Sequence, residues 1–164
     1  MKKTLIALAA LLLLALPWWV VSMLQKKTTL SLYCQVPYVI NSNKEDSMLL
    51  KGSIKTHYYP NSKGIGILTG TMQFRAKGSN EIKNYTISRN TSYTYHLMDS
   101  YIITKTTEMH LGYGDNLPPM LEGEFLFPIF KKDYNDYFQF QRMANNDIMV
   151  SVASMPRLYC HAPE

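Results

Sequence analysis

Only two cysteines occur in this chain, Cys34 in SLYCQVPY and Cys160 in RLYCHAPE, and their scarcity excludes several chemistries. A structural zinc site draws four ligands from close cysteine pairs or from histidines at short spacing. Here His57, His96, His110 and His161 stand one at a time. A lipid-modified bacterial cysteine needs small residues before it, whereas Ser31-Leu32-Tyr33 places a tyrosine next to Cys34. No serine sits in a nucleophile turn with His and Asp in a recognisable order, and no close histidine pair suggests a catalytic metal. The expectation is therefore no catalytic residue, no metal and no cofactor, with ligand-binding residues unassigned.

The domain also lacks a strong charge of one sign. The whole chain has 17 Lys and Arg against 12 Asp and Glu, a net of +5 with an isoelectric point near 9.1. Lys2, Lys3, Lys26 and Lys27 flank an apolar run, so 17 − 4 leaves 13 basic against the 12 acidic residues of 28–164, a net of +1. The basic character belongs to those flanks, and direct nucleic-acid binding is not expected. FRAKGSNEIKNYTISR mixes Arg75, Lys77, Lys83 and Arg89 with Phe74 and Tyr85, but Glu81 interrupts it, and a solvated strand face is the plainer account. Sustained helical periodicity is missing after residue 28, as are repeats, linkers and low-complexity segments.

What is present begins with the apolar run. Residues 4–24 carry no charge, and a helix of that length spans roughly 31 Å, about the hydrocarbon thickness of a bilayer. A cleaved signal peptide would have a shorter apolar core and small residues at its cleavage site. Pro17, Trp18 and Trp19 stand where those would be wanted, and Val20-Val21-Ser22 is the one passable site. The tryptophans with Lys26 and Lys27 suit an interfacial anchor instead. The division expected is an anchor over 1–27, with a transmembrane helix at about 4–24, and a domain over 28–164 outside the cytoplasm. An even cysteine count in an exported domain favours a Cys34–Cys160 disulfide, with two buried free thiols as the alternative.

Period-two alternation runs through 28–164. In YTISRNTSYTYH, Tyr85, Ile87, Arg89, Thr91, Tyr93 and Tyr95 share one face. In GIGILTGTMQF, Gly64, Gly66, Leu68, Gly70, Met72 and Phe74 do. About eight strands are expected, at 28–36, 47–59, 64–76, 81–96, 100–110, 120–130, 135–143 and 147–160. Turn residues punctuate them at PNSKG, KGSN, GYGDNLPP and NND, and KKDYND at 131–136 has room for a helical turn. The fold class expected is all-β, an antiparallel meander forming a lipocalin-like open or partial barrel after one transmembrane helix.

Three features invite function. GxGxxxG at Gly64, Gly66 and Gly70 is off the dinucleotide pattern and no helix follows, so a bend or an aromatic cover is favoured. Glu122 and Glu124 read as a solvated strand face, beside scattered Asp99, Asp115, Asp133 and Asp136. Asn84-Tyr85-Thr86 and Asn90-Thr91-Ser92 match glycosylation sequons, which matter only in a eukaryotic secretory pathway. Twelve tyrosines and six phenylalanines allow an aromatic-lined cavity or a protein interface.

Taken together, KKTLIALAALLLLAL, GIGILTGTMQF, YTISRNTSYTYHL, GDNLPPML, YFQFQRM and PRLYCHAP resemble the FidL-like inner-membrane proteins of enteric bacteria. Those are similar to the small partners in co-component signalling systems of the VtrA/VtrC and ToxR/ToxS kind. The resemblance implies a single-pass inner-membrane protein with a cytoplasmic N-terminus and a periplasmic β domain. It also implies a non-enzymatic role beside a ToxR-like regulator with a winged-helix domain. No ligand-contacting residue matches by position, so a small amphipathic ligand is considered only for a cavity shared with that partner.

Overall fold

The computed structural model describes residues 14–20, 30–98, 101–145, 147–152 and 155–160. Residues 14–20 are helical and exposed. The rest of the anchor expected over 4–24 and the boundary expected at 27/28 lie outside the described residues, as do Asp99 and His161. Among the described residues no helix is long and apolar enough to cross a membrane.

The alternation predicted over 47–111 is realised in long strands. They are β1 (Leu32–Asn43), β2 (Ser47–Tyr59), β3 (Lys63–Arg75), β4 (Lys83–Met98) and β5 (Tyr101–Leu111), followed by the shorter β6 (Asn135–Arg142), β7 (Ile148–Val152) and β8 (Met155–Cys160). All neighbours pair antiparallel in the order β1 to β8, an up-and-down meander that curls into a nearly closed barrel. Register puts the apolar residues on one face. Leu50 lies opposite Met72 and Ile54 opposite Leu68, while Tyr93 and Tyr95 of β4 project the same way and are buried. The other face carries Lys51, Lys55, Thr69, Thr71 and Gln73, exposed to water, as one-sided antiparallel sheets require.

Four expectations are corrected. Residues 120–130 are not a strand. Helix α1 (Pro119–Phe125) begins there with Pro119 in its first turn, and a 3₁₀ turn follows at Pro128–Phe130. Proline is pre-set for the first turn of a helix but withholds a donor from a sheet, so Pro119 and Pro128 override the apparent alternation of EGEFLFPIF. Residues 131–136, where a helical turn was expected, form a bend and turn, with Asp133 at φ 53° leading into β6. The strand expected over 147–160 is a hairpin, β7 and β8, so the count of eight survives with a different membership. β1 also starts later and runs further than the span expected.

The connection from 112 to 134 is a plug. Leu117, Leu121, Phe125, Leu126, Phe127, Ile129 and Phe130 are all buried against the barrel's inner face. Burial of seven apolar side chains, at about 1.5–3 kcal/mol each before entropic losses, makes this the largest single contact the barrel interior has outside its own strands. The glycines of β3 receive it. A Cβ on Gly66 would meet Ile129 at 3.2 Å and Phe130 at 3.3 Å, and a Cβ on Gly64 would fall on the Tyr93 ring. The aromatic cover expected for that glycine face is thus present.

Candidate functional site

Three places have chemistry beyond packing. The first is the interior. Tyr58 stands at the centre of an aromatic cluster, with ring centroids 5.3 Å from Tyr93, 5.5 Å from Tyr95 and 5.4 Å from Phe140. Tyr95 donates its hydroxyl to the carbonyls of Leu30 and Tyr59, and Tyr93 donates to that of His57. Burial pushes the hydroxyls of Tyr58, Tyr93 and Tyr95 above their ordinary value of 10.0, because a phenolate would lose its hydration. A cavity beside Cys34, Tyr58, Phe127 and Cys160 holds about 20 Å³. A drug-sized ligand needs roughly 300 Å³ or more. The aromatics expected to line a cavity fill the interior instead.

The second place is an ion cluster that the sequence hid. Arg89 alternates with apolar neighbours on the inward face of β4 and is fully buried. Its Nε donates to Asp115 Oδ2 at 3.2 Å and its Nη2 to Glu122 Oε1 at 2.7 Å. Asp115, itself buried, also accepts from the backbone N–H groups of Ser88 at 2.9 Å and Leu117 at 3.3 Å. Burial works against the charge on Arg89, but Glu122 and Asp115 outweigh it and hold the guanidinium protonated more firmly than usual. Glu122 is therefore not on a solvated strand face. It sits on α1 and, with Asp115, ties the plug to the barrel wall. Among the described residues no group of three or more His, Cys, Asp or Glu side chains could hold a metal. His57 stacks on Tyr59 at 4.2 Å and His110 faces Glu108 at 3.6 Å on the outer surface.

The third place is the seam. Cys34 and Cys160 form the expected disulfide, with Cα atoms 5.2 Å apart and both residues buried. It joins the start of β1 to the end of β8. Among the described residues no hydrogen-bonded ladder joins these two strands. Beyond the disulfide a groove of about 430 Å³ opens between Pro37–Ile40 of β1, Phe125–Pro128 of the plug, and Arg157 and Leu158 of β8. Tyr38 lines it, donating to the Phe125 carbonyl at 3.3 Å and set edge-on to Phe127. Burial raises the Tyr38 hydroxyl to about 12, against a smaller opposing pull from Arg157. Lys131, bonded to the Gly123 carbonyl at 2.6 Å, and Arg157 supply positive charge to the rim.

Pro37 tells which way the edge faces. A proline is accommodated in a sheet only where its missing N–H is not needed by a neighbour. Its nitrogen therefore points away from β2, toward the seam. By the two-residue repeat, the N–H and C=O groups of Val39 and Asn41 point the same way. Sequence reasoning could have marked this edge from Pro37 and the cysteine positions together, since a staple between first and last strands is where a barrel closes.

No protein-family profile, curated protein or solved structure matches this chain.

Proposed function

We propose that this chain is a non-enzymatic, membrane-anchored accessory protein. In this reading its β domain lies in the bacterial periplasm and pairs with the periplasmic part of a single-pass, ToxR-like winged-helix regulator, which it stabilises or tunes. The observation that carries the reading is the unpaired edge of β1 beside a groove of about 430 Å³. An open edge is a template for strand addition, in which main-chain bonds give affinity and side-chain pockets give selectivity. The resemblance to FidL-like proteins supports the choice of partner and of the inner membrane. The cationic rim favours an acidic strand. In this reading a small amphipathic ligand binds in the groove or in a cavity the partner completes, and shifts the regulator's population through differential affinity.

The experiment is crosslinking of the tagged full-length protein in its native membrane, with and without Val39→Pro. That substitution removes a seam-facing donor and leaves the β1–β2 ladder intact. Recovery of a single-pass DNA-binding regulator, reduced at least tenfold by Val39→Pro, supports the reading. A regulator recovered equally with both refutes the seam as the contact. Absence of any regulator under inducing conditions favours a stand-alone periplasmic binding protein, and recovery of an exported adhesin or pilus subunit favours an assembly factor.

A further inference from the structure

The two ends of the barrel differ in chemistry. At the end where β1 begins, tyrosines and methionines stand at five of the strand ends: Tyr33 on β1, the half-buried Tyr59 closing β2, Met98 closing β4, Tyr101 opening β5, and Met143 just after β6. Met98 is 60% exposed and Tyr101 39%. Lys63 and Arg142 are exposed there, with the exposed Glu108 beside Lys63 and Tyr59, while Asp147 is buried and accepts hydrogen bonds from Tyr159 and Asn145. The opposite end carries charges of both signs in its turns, Lys44, Glu45 and Asp46, then Lys77, Glu81 and Lys83, and its exposed Ile82 and Tyr113 stand among them. Exposed tyrosines beside cations suit a membrane–water interface.

The chain itself points this end at a bilayer. The exposed apolar helix 14–20, with Trp18 and Trp19, precedes β1 by few residues. From Val20 to Leu30 the backbone can reach at most about 35 Å. That tether enters the barrel at the tyrosine-rich end and at no other. We infer that this end is a lipid-docking face. Tyr33, Tyr59, Met98, Tyr101 and Met143 seat in the headgroup layer of the bilayer that holds the anchor, and Lys63 and Arg142 face anionic headgroups. Docking fixes the barrel upright, with the turns around Glu45, Gly78 and Tyr113 held away from the membrane. The inference rests on the anchor reading of residues 4–24 and adds that the domain lies on the membrane rather than swinging from it.

The test uses the full-length protein in vesicles of phosphatidylethanolamine and phosphatidylglycerol, some brominated close to the headgroup. Trp18 and Trp19 in the unaltered chain report the anchor. On a background with Trp18→Phe and Trp19→Phe, Tyr101→Trp reports the docking end and Tyr113→Trp the far end, with Met98→Trp as a second probe if Tyr101→Trp does not fold. The expected result is that brominated lipid quenches Tyr101→Trp or Met98→Trp strongly and leaves Tyr113→Trp unchanged, an effect that weakens when the anionic lipid is omitted. Equal, weak quenching at both ends, with Trp18 and Trp19 of the unaltered chain quenched, overturns docking and leaves the anchor standing. No quenching of Trp18 and Trp19 overturns the anchor and the docking with it.

Discussion

Arg89 carries more of the fold than any apolar neighbour, because its loss leaves a buried carboxylate behind. Truncating one partner of a buried pair costs about 3–5 kcal/mol, most of it the uncompensated charge that remains. Arg89→Met is thus expected to lower the unfolding free energy by about that amount in urea titration, with Asp115→Asn costing less because its backbone bonds partly persist. In sequence, Arg89 read with Arg75, Lys77 and Lys83 as part of a solvated strand face, yet it is buried; nothing local named the carboxylates that hold it there. Asp115 and Glu122 come from a connection whose path depends on tertiary packing. The tyrosines give a second expectation at this scale. Tyr58, Tyr93 and Tyr95 have hydroxyls raised above 10.0 in the fold. An unfolded chain then releases protons near pH 10 that the folded one retains, so stability falls as pH rises through that value. Ultraviolet titration is expected to show these three ionising only together with unfolding.

Strands β2 to β5 were legible because each has one wet and one dry face, and alternation reports that directly. β3 depends further on its glycines. Gly70 lies opposite Gly52, and a Cβ on Gly70 would meet the Lys51 carbonyl oxygen at 2.6 Å. The pair lets the backbones of β2 and β3 approach closely. Gly70→Ala is expected to cost about 1–3 kcal/mol by forcing backbone apart, a loss measurable in thermal melts. The plug was misread as a strand because Phe125, Phe127 and Ile129 alternate by accident of a helix end running into a 3₁₀ turn. The informative signal was Pro118-Pro119 with Leu121 and Phe125 four apart, a helical spacing that begins at a proline. β7 and β8 merged in the reading because no glycine or asparagine separates them.

For the molecule as a whole, the disulfide is the one covalent closure of the barrel. It spans 126 residues, and in the chain-entropy model a loop of that size contributes on the order of 5 kcal/mol. A Cys34→Ser, Cys160→Ser double variant is expected to unfold at lower denaturant. In hydrogen exchange, β1 and β8 are expected to lose protection before β3 and β4, because no ladder holds the seam. Sequence made the staple and the barrel class legible. The open seam was not, since whether first and last strands hydrogen-bond depends on the stagger accumulated around eight strands.

The seam is also where the functional account is most exposed to test. A photo-crosslinking amino acid at position 39 in the full-length protein, compared with one at Thr71 on the outer face of β3, reads partner contact in whole cells. The account predicts a single adduct with a membrane-anchored DNA-binding regulator from position 39 and none from position 71. Adducts of equal yield from both positions, or none from position 39 while the regulator is present, would contradict it.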